Sequence, residues 1–130
     1  MKVALFALFG FLVFQGSYYT SLVGSIWAYK VTETCNNTLK FKSNDIVLEY
    51  DCELDYTFHS TYKLASDTLI IKGKDDSHSE DHGKITSYWI NTYLIKNKAL
   101  YAIRSQELVN DKWKDRKIKN ETKPDYIRTK

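Results

Sequence analysis

The chain is poor in the residues that punctuate or arm most domains. Its 130 residues include one proline, Pro124, and five isolated glycines, Gly10, Gly16, Gly24, Gly73 and Gly83. Scattered glycines exclude a phosphate-cradling loop, which needs several in one turn to bring backbone N–H groups onto the anion. There is no Gly-x-Ser-x-Gly elbow to raise a serine nucleophile. The two cysteines, Cys35 and Cys52, form no Cys-x-x-Cys redox motif. Charge of one sign is scarce as well. Lys and Arg number 19 against 16 Asp and Glu, a net +3, which marks no nucleic-acid surface. No segment sustains a 3.6-residue apolar stripe, so little helix is expected.

One uninterrupted apolar run does exist, from Val3 to Phe14 behind Lys2. It has the length of a signal-peptide core and is too short to span a bilayer comfortably. Small residues follow at Gly16 and Ser17. The expectation is a signal peptide over residues 1–16 and a single domain over 17–130, periplasmic or secreted, with no stable membrane span after cleavage. In an oxidising compartment an even cysteine count favours a disulfide, Cys35–Cys52. Closing a loop of that size contributes about 3 kcal/mol in the chain-entropy account.

What is abundant is strand material: ten tyrosines, three tryptophans and many threonines and isoleucines. "SIWAYKVTET" reads as a first strand with Trp27, Tyr29 and Val31 on one face. Asn36-Asn37-Thr38 reads as a turn before "LKFK", where Leu39 and Phe41 share a side. In "IVLEYDCELDYTFHSTYKLA", Ile46, Leu48, Tyr50 and Cys52 form the apolar alternation, either continuing through Leu54, Tyr56 and Phe58 or split by a bend near Asp51 to Glu53. "TLIIKG" follows a Ser-Asp turn. In "ITSYWINTYLIK" one face holds Ile85, Ser87, Trp89, Asn91, Tyr93 and Ile95. "NK" turns into "ALYAIRSQEL", with Tyr101 and Ile103 as the inward pair, and Asn110-Asp111 turns into "KWKDRKIK", where Trp113 closes the last strand or fills a barrel end. Short strands at this spacing predict an all-β, antiparallel up-and-down meander of seven or eight strands. In so short a chain it loses its edges by closing into a barrel. The segment 111–130, with eight basic and four acidic residues, reads as a solvated, partly disordered basic tail.

The densest polar stretch is "GKDDSHSEDHGK", 73–84. His78 and His82 stand four apart, the spacing that puts two imidazoles on one face of a helix toward zinc. Gly73 and Gly83 flank them, and no apolar residue between Lys74 and Gly83 could dock a helix. A metal site and a cofactor are therefore not expected. The stretch reads as a solvated hairpin connection, or as a contact surface for a basic partner through Asp75, Asp76, His78, Glu80, Asp81 and His82. His59 beside Ser60, with Asp55 and Asp67 in sequence range, lacks any motif that would make it catalytic, so no enzyme is expected.

Several pieces in order, "GSIWAY", a cysteine, "LKF" with "SND", "YDCE", the "YKLASDTLII" segment and "YLIKNKALYAI", resemble the short lipocalin-like domains of exported bacterial proteins. The resemblance runs from about Gly24 to Trp113. It implies a small up-and-down barrel that binds something or is merely structural, and it brings no catalytic residues. The expected function is binding of a small apolar ligand, by a monomer, in a pocket lined by Trp27, Tyr50, Trp89, Tyr93 and Tyr101, or of a protein at the barrel rim. A periplasmic enzyme inhibitor or immunity protein acting through loop 73–84 is the alternative, and a structural envelope protein is a second.

Overall fold

A computed structural model describes residues 21–75, 86–118 and 122–130. The proposed signal peptide lies outside the described residues. So does most of the acidic stretch, including Asp76, His78, Glu80, Asp81 and His82. Nine strands follow in order: β1 (Ile26–Thr32), β2 (Cys35–Phe41), β3 (Ile46–Asp51), β4 (Tyr56–Ala65), β5 (Thr68–Asp75), β6 (Ser87–Lys96), β7 (Ala99–Val109), β8 (Lys112–Asp115) and β9 (Tyr126–Arg128). There is no helix among the described residues. The strands β1 to β7 pair antiparallel in sequence order, and β9 closes the ring between β7 and β1. The result is the expected closed antiparallel barrel, with eight strands where seven or eight are expected, and β8 is one extra strand on the far half of β7.

The hairpin turns are chemically specified. Asn97-Lys98 and Asn110-Asp111 each join strands with two residues at positive φ (51° and 59°, 50° and 62°). That is the twist a two-residue hairpin demands, and Asn and Asp tolerate it best. The long run after Ile46 does split, β3 ending at Asp51 and β4 beginning at Tyr56. The Asp51 carboxylate accepts the Glu53 and Leu54 N–H groups to form the turn. Asn36, Asn37 and Thr38, by contrast, are not a turn. They lie within β2, and the chain reverses at Glu33-Thr34. The Asn37 side chain instead reaches across to accept the Cys52 N–H at 2.9 Å, so its hydrogen-bonding capacity serves a neighbouring turn.

One end of the barrel is apolar and shut. Trp27, Leu39, Phe41, Val47, Leu69, Ile71 and Leu100 are fully enclosed there, with Leu22 and Ile95 nearly so. Burying an aromatic side chain of this size contributes on the order of 4–6 kcal/mol. The Trp27 indole needs a hydrogen-bond acceptor in this dry setting. Ser25 Oγ supplies it at 2.9 Å while donating to the Leu22 carbonyl. The Leu22–Ser25 turn is anchored by the Gly24 N–H on the Phe41 carbonyl, and Gly24 takes a φ of 81° there. Phe41 and Tyr62 meet edge to face, and the Tyr62 hydroxyl donates to the Ser43 carbonyl.

Three expected faces are corrected by the register. On β3 the inward residues are Val47 and Glu49, opposite Phe41 and Leu39, rather than Ile46, Leu48 and Tyr50. On β7 they are Leu100 and Ala102. A bulge between Thr92 and Tyr93 follows, and Ile103 is half exposed. Trp113 does not plug the barrel: it sits on β8, 45 % exposed. Within the C-terminal segment, Tyr126–Arg128 is not tail either: it is the strand that completes the ring.

A polar mouth with a buried carboxylate

Away from the apolar end, the inward positions turn polar. β1 contributes Tyr29, β2 Asn37, β3 Glu49, β6 Trp89, Asn91 and Tyr93, and β7 Ala102 and Ser105. Two cavities share this mouth. The larger, about 560 Å³, runs between Tyr93, Ser105 and the segments 116–118 and 123–126. The smaller, about 170 Å³, is walled by Glu49, Tyr50, Phe58, Trp89 and Tyr126. Asn37, Asn91, Arg116 and Tyr126 border both.

Glu49 is the chemical centre of the smaller chamber. Ser60 Oγ (2.5 Å) and Trp89 Nε1 (3.2 Å) both donate to its Oε2. Among the described residues no protein group donates to Oε1, and no fully enclosed polar side-chain atom is without a partner. Oε1 therefore opens on the chamber. Burial raises the Glu49 pKa above the ordinary carboxylate value, and the Ser60 and Trp89 hydrogen bonds offset this only in part.

Trp89 is placed by an absence. It stands opposite Gly73 in the β5–β6 pairing, and its indole lies over the glycine where a side chain would otherwise be. Phe58 meets the other side of the indole edge to face at 5.2 Å between centroids. Tyr126 links the walls, 6.0 Å from Tyr93 and 5.9 Å from Tyr29. Burial pushes the Tyr93 and Tyr126 phenols well up, and the nearby carboxylates of Glu49 and Asp125 add to it. Asp125 accepts the Ala102 N–H at 2.8 Å, and its own pKa is raised by partial burial despite that bond.

The disulfide Cys35–Cys52, with 5.5 Å between Cα atoms, ties the start of β2 to the β3–β4 turn beside this mouth. The mouth rim is charged. Arg104 pairs with Asp115 at 2.9 Å, which raises its pKa, and Arg116 lies 3.5 Å from Glu107.

Of the five residues expected to line a pocket, the structure brings three to the mouth: Tyr93 to the larger cavity, Trp89 and Tyr50 to the smaller. Tyr50 sits at the rim, its hydroxyl donating to Asp55 at 2.8 Å, which raises its pKa. Trp27 is in the sealed core and borders neither cavity. Tyr101 pairs with Leu94, one step from the inward Leu100 and Ala102, and borders neither. Asp75, within the acidic stretch, ends β5 opposite Ser87. Glu49, Arg116, Asp125 and Tyr126 carry the polar site and were not singled out from the sequence. The signal for Glu49 was present, a carboxylate two residues from Val47 in a strand, but the richer apolar alternation on the other face obscured it. No family model, curated protein or solved structure matches the chain.

Proposed function

We propose that this chain is an exported, non-catalytic binding protein of lipocalin-like type that holds a small ligand at the open end of its barrel. The observation that carries the reading is the pair of joined cavities, floored by a packed apolar end and walled by aromatic rings with a few convergent polar groups. The sequence expectation of a wholly apolar ligand gives way to an amphipathic one, because Glu49, Asn91, Ser105 and Arg116 all face the space. Export is supported by the apolar N-terminal run and by the disulfide, which persists in oxidising compartments. Binding is favoured over catalysis by the absence of a nucleophile signature in the sequence.

Trp89 is a built-in reporter, since it borders the smaller chamber while Trp27 is sealed in the core. In a Trp113→Phe background, a panel of lipids, haem, aromatic acids and small amphiphiles is titrated and emission recorded. A saturable change with at least one member, lost in Trp89→Phe, is expected. Silence across the panel would sink the reading.

A further inference from the structure

The two chambers carry opposite charge. Among the described residues, the smaller has the carboxylates of Glu49 and Asp51 and one cation, Arg116. Among the described residues, the larger has Arg104, Arg116, Lys117 and Lys123 and one carboxylate, Asp125. Arg104 and Arg116 are engaged by Asp115 and Glu107, whereas Lys117 and Lys123 make no ion pair among the described residues. One continuous mouth thus grades from negative and aromatic to positive and polar.

The smaller chamber suits an organic cation. Among the described residues Glu49 Oε1 has no protein donor, and it faces a space walled by Phe58, Trp89, Tyr126 and Tyr50. An ionised carboxylate there is costly without a counter-charge. A cation on an aromatic face gains about 0.5–2 kcal/mol, more as it sheds water, which favours weakly hydrated alkylammonium groups. The larger chamber, with two ammonium groups in no ion pair among the described residues, suits an anion.

Resting on the reading of the mouth as a ligand site, we propose that its ligand is a small zwitterion. Its alkylammonium group sits in the smaller chamber against Glu49, and its anionic group sits in the larger one between Lys117 and Lys123. Arg116 lines both chambers and draws the anionic end toward the larger one.

The test uses isothermal titration of the mature chain with four probes: phosphocholine, choline, 3,3-dimethylbutan-1-ol (the uncharged isostere of choline) and inorganic phosphate. Phosphocholine should bind tightest, and choline at least tenfold tighter than the isostere. Glu49→Gln should weaken phosphocholine and choline at least tenfold each. The double variant Lys117→Ala, Lys123→Ala should weaken phosphocholine and leave choline unchanged. Should Glu49→Gln fail to fold, the wild type serves: choline binding should strengthen from pH 4 to pH 8 as Glu49 ionises. Tyr93 on β6, Tyr126 on β9, Tyr50 and Asp51 on its own strand, Arg116 and Asp125 are the other ionisable groups around it. Equal binding of choline and its isostere, or no pH dependence of choline binding, would overturn the proposal. Failure of all four probes while Trp89 still responds to another panel member overturns the zwitterion alone, and silence in both experiments overturns the ligand site itself. Co-flotation with phosphatidylcholine vesicles separates the two sources of this chemistry: vesicle binding competed by phosphocholine assigns a lipid headgroup, and binding of free phosphocholine alone assigns a solute.

Discussion

Replacing Gly73 with alanine should disturb the mouth more than any surface substitution of its size. A Cβ at this position would land on Cε2, Cζ2 and Nε1 of the Trp89 indole, far inside the ordinary contact distance of about 3.5–4 Å. The indole has to move by on the order of 1 Å or more, and it is held on both sides. Moving it breaks the Nε1–Glu49 hydrogen bond, worth about 1.5–3 kcal/mol to an ionised acceptor. It also disturbs the edge-to-face contact with Phe58, worth about 0.5–1.5 kcal/mol. The expected cost is about 2–4 kcal/mol by urea denaturation, with a fall in Tm of roughly 8 °C or more for a domain of this size. In a Trp89→Leu background the same change should cost under about 1 kcal/mol, because the colliding atoms are gone, and the difference is the coupling energy of the pair. A control is Gly24→Ala, whose added Cβ meets nothing within 4 Å but whose φ of 81° still strains an L residue by about 1–2 kcal/mol. If Gly73→Ala changed stability by less than about 0.5 kcal/mol and left the tryptophan emission unmoved, the placement of Trp89 over Gly73 would be wrong.

Two further outcomes follow from the same region. The raised pKa of Glu49 means that its contribution to stability is fully present below the unfolded-state pKa and is lost as pH rises through the folded-state value. Glu49→Gln should therefore be more stable than the wild type at pH 7, by about 1.4 kcal/mol for each unit separating the two pKa values, with the gap closing toward pH 4 in denaturation curves. The double variant Cys35→Ser, Cys52→Ser should lose about 3 kcal/mol, as expected for a 17-residue separation, and reduction of the wild type should reproduce that loss. A loss under 1 kcal/mol would mean that the β1–β2 and β3–β4 turns hold each other without the covalent tie.

The barrel was legible in the sequence because its signals are local. Asn97-Lys98 and Asn110-Asp111 announce tight hairpins, and the alternation of Trp89, Asn91, Tyr93 and Ile95 marks one inward face. The site was legible only in part, because a polar mouth inverts the usual rule. On β3 the apolar alternation Ile46, Leu48, Tyr50 lies on the outer, half-buried face, and the inward position goes to Glu49, whose partners Ser60 and Trp89 come from strands 11 and 40 residues away. On β7 a bulge shifts the face between Ala102 and Ser105, which no two-residue period can foretell. The last strand was missed because three residues carry too little pattern. Tyr126 owes its position to pairing partners at Leu100 and to the rings of Tyr29 and Tyr93.

That short last strand also sets a timetable. The Thr129 hydroxyl donates to the Ile26 carbonyl across a sequence separation of 103, and on each side β9 is held by only two residue pairs. A polypeptide emerging in order can zip hairpin upon hairpin from β1 to β7, but the ring stays open until β9 arrives. Until then the edge of β1 and the near half of β7 lie bare, with Trp27 and Leu100 at their inner faces, as an invitation to strand-on-strand association between nascent chains. For this molecule the hazardous moment of its life is the interval before β9 is threaded home. Any factor in the cell that shields β1 during that interval would govern yield far more than it would govern the stability of the finished barrel.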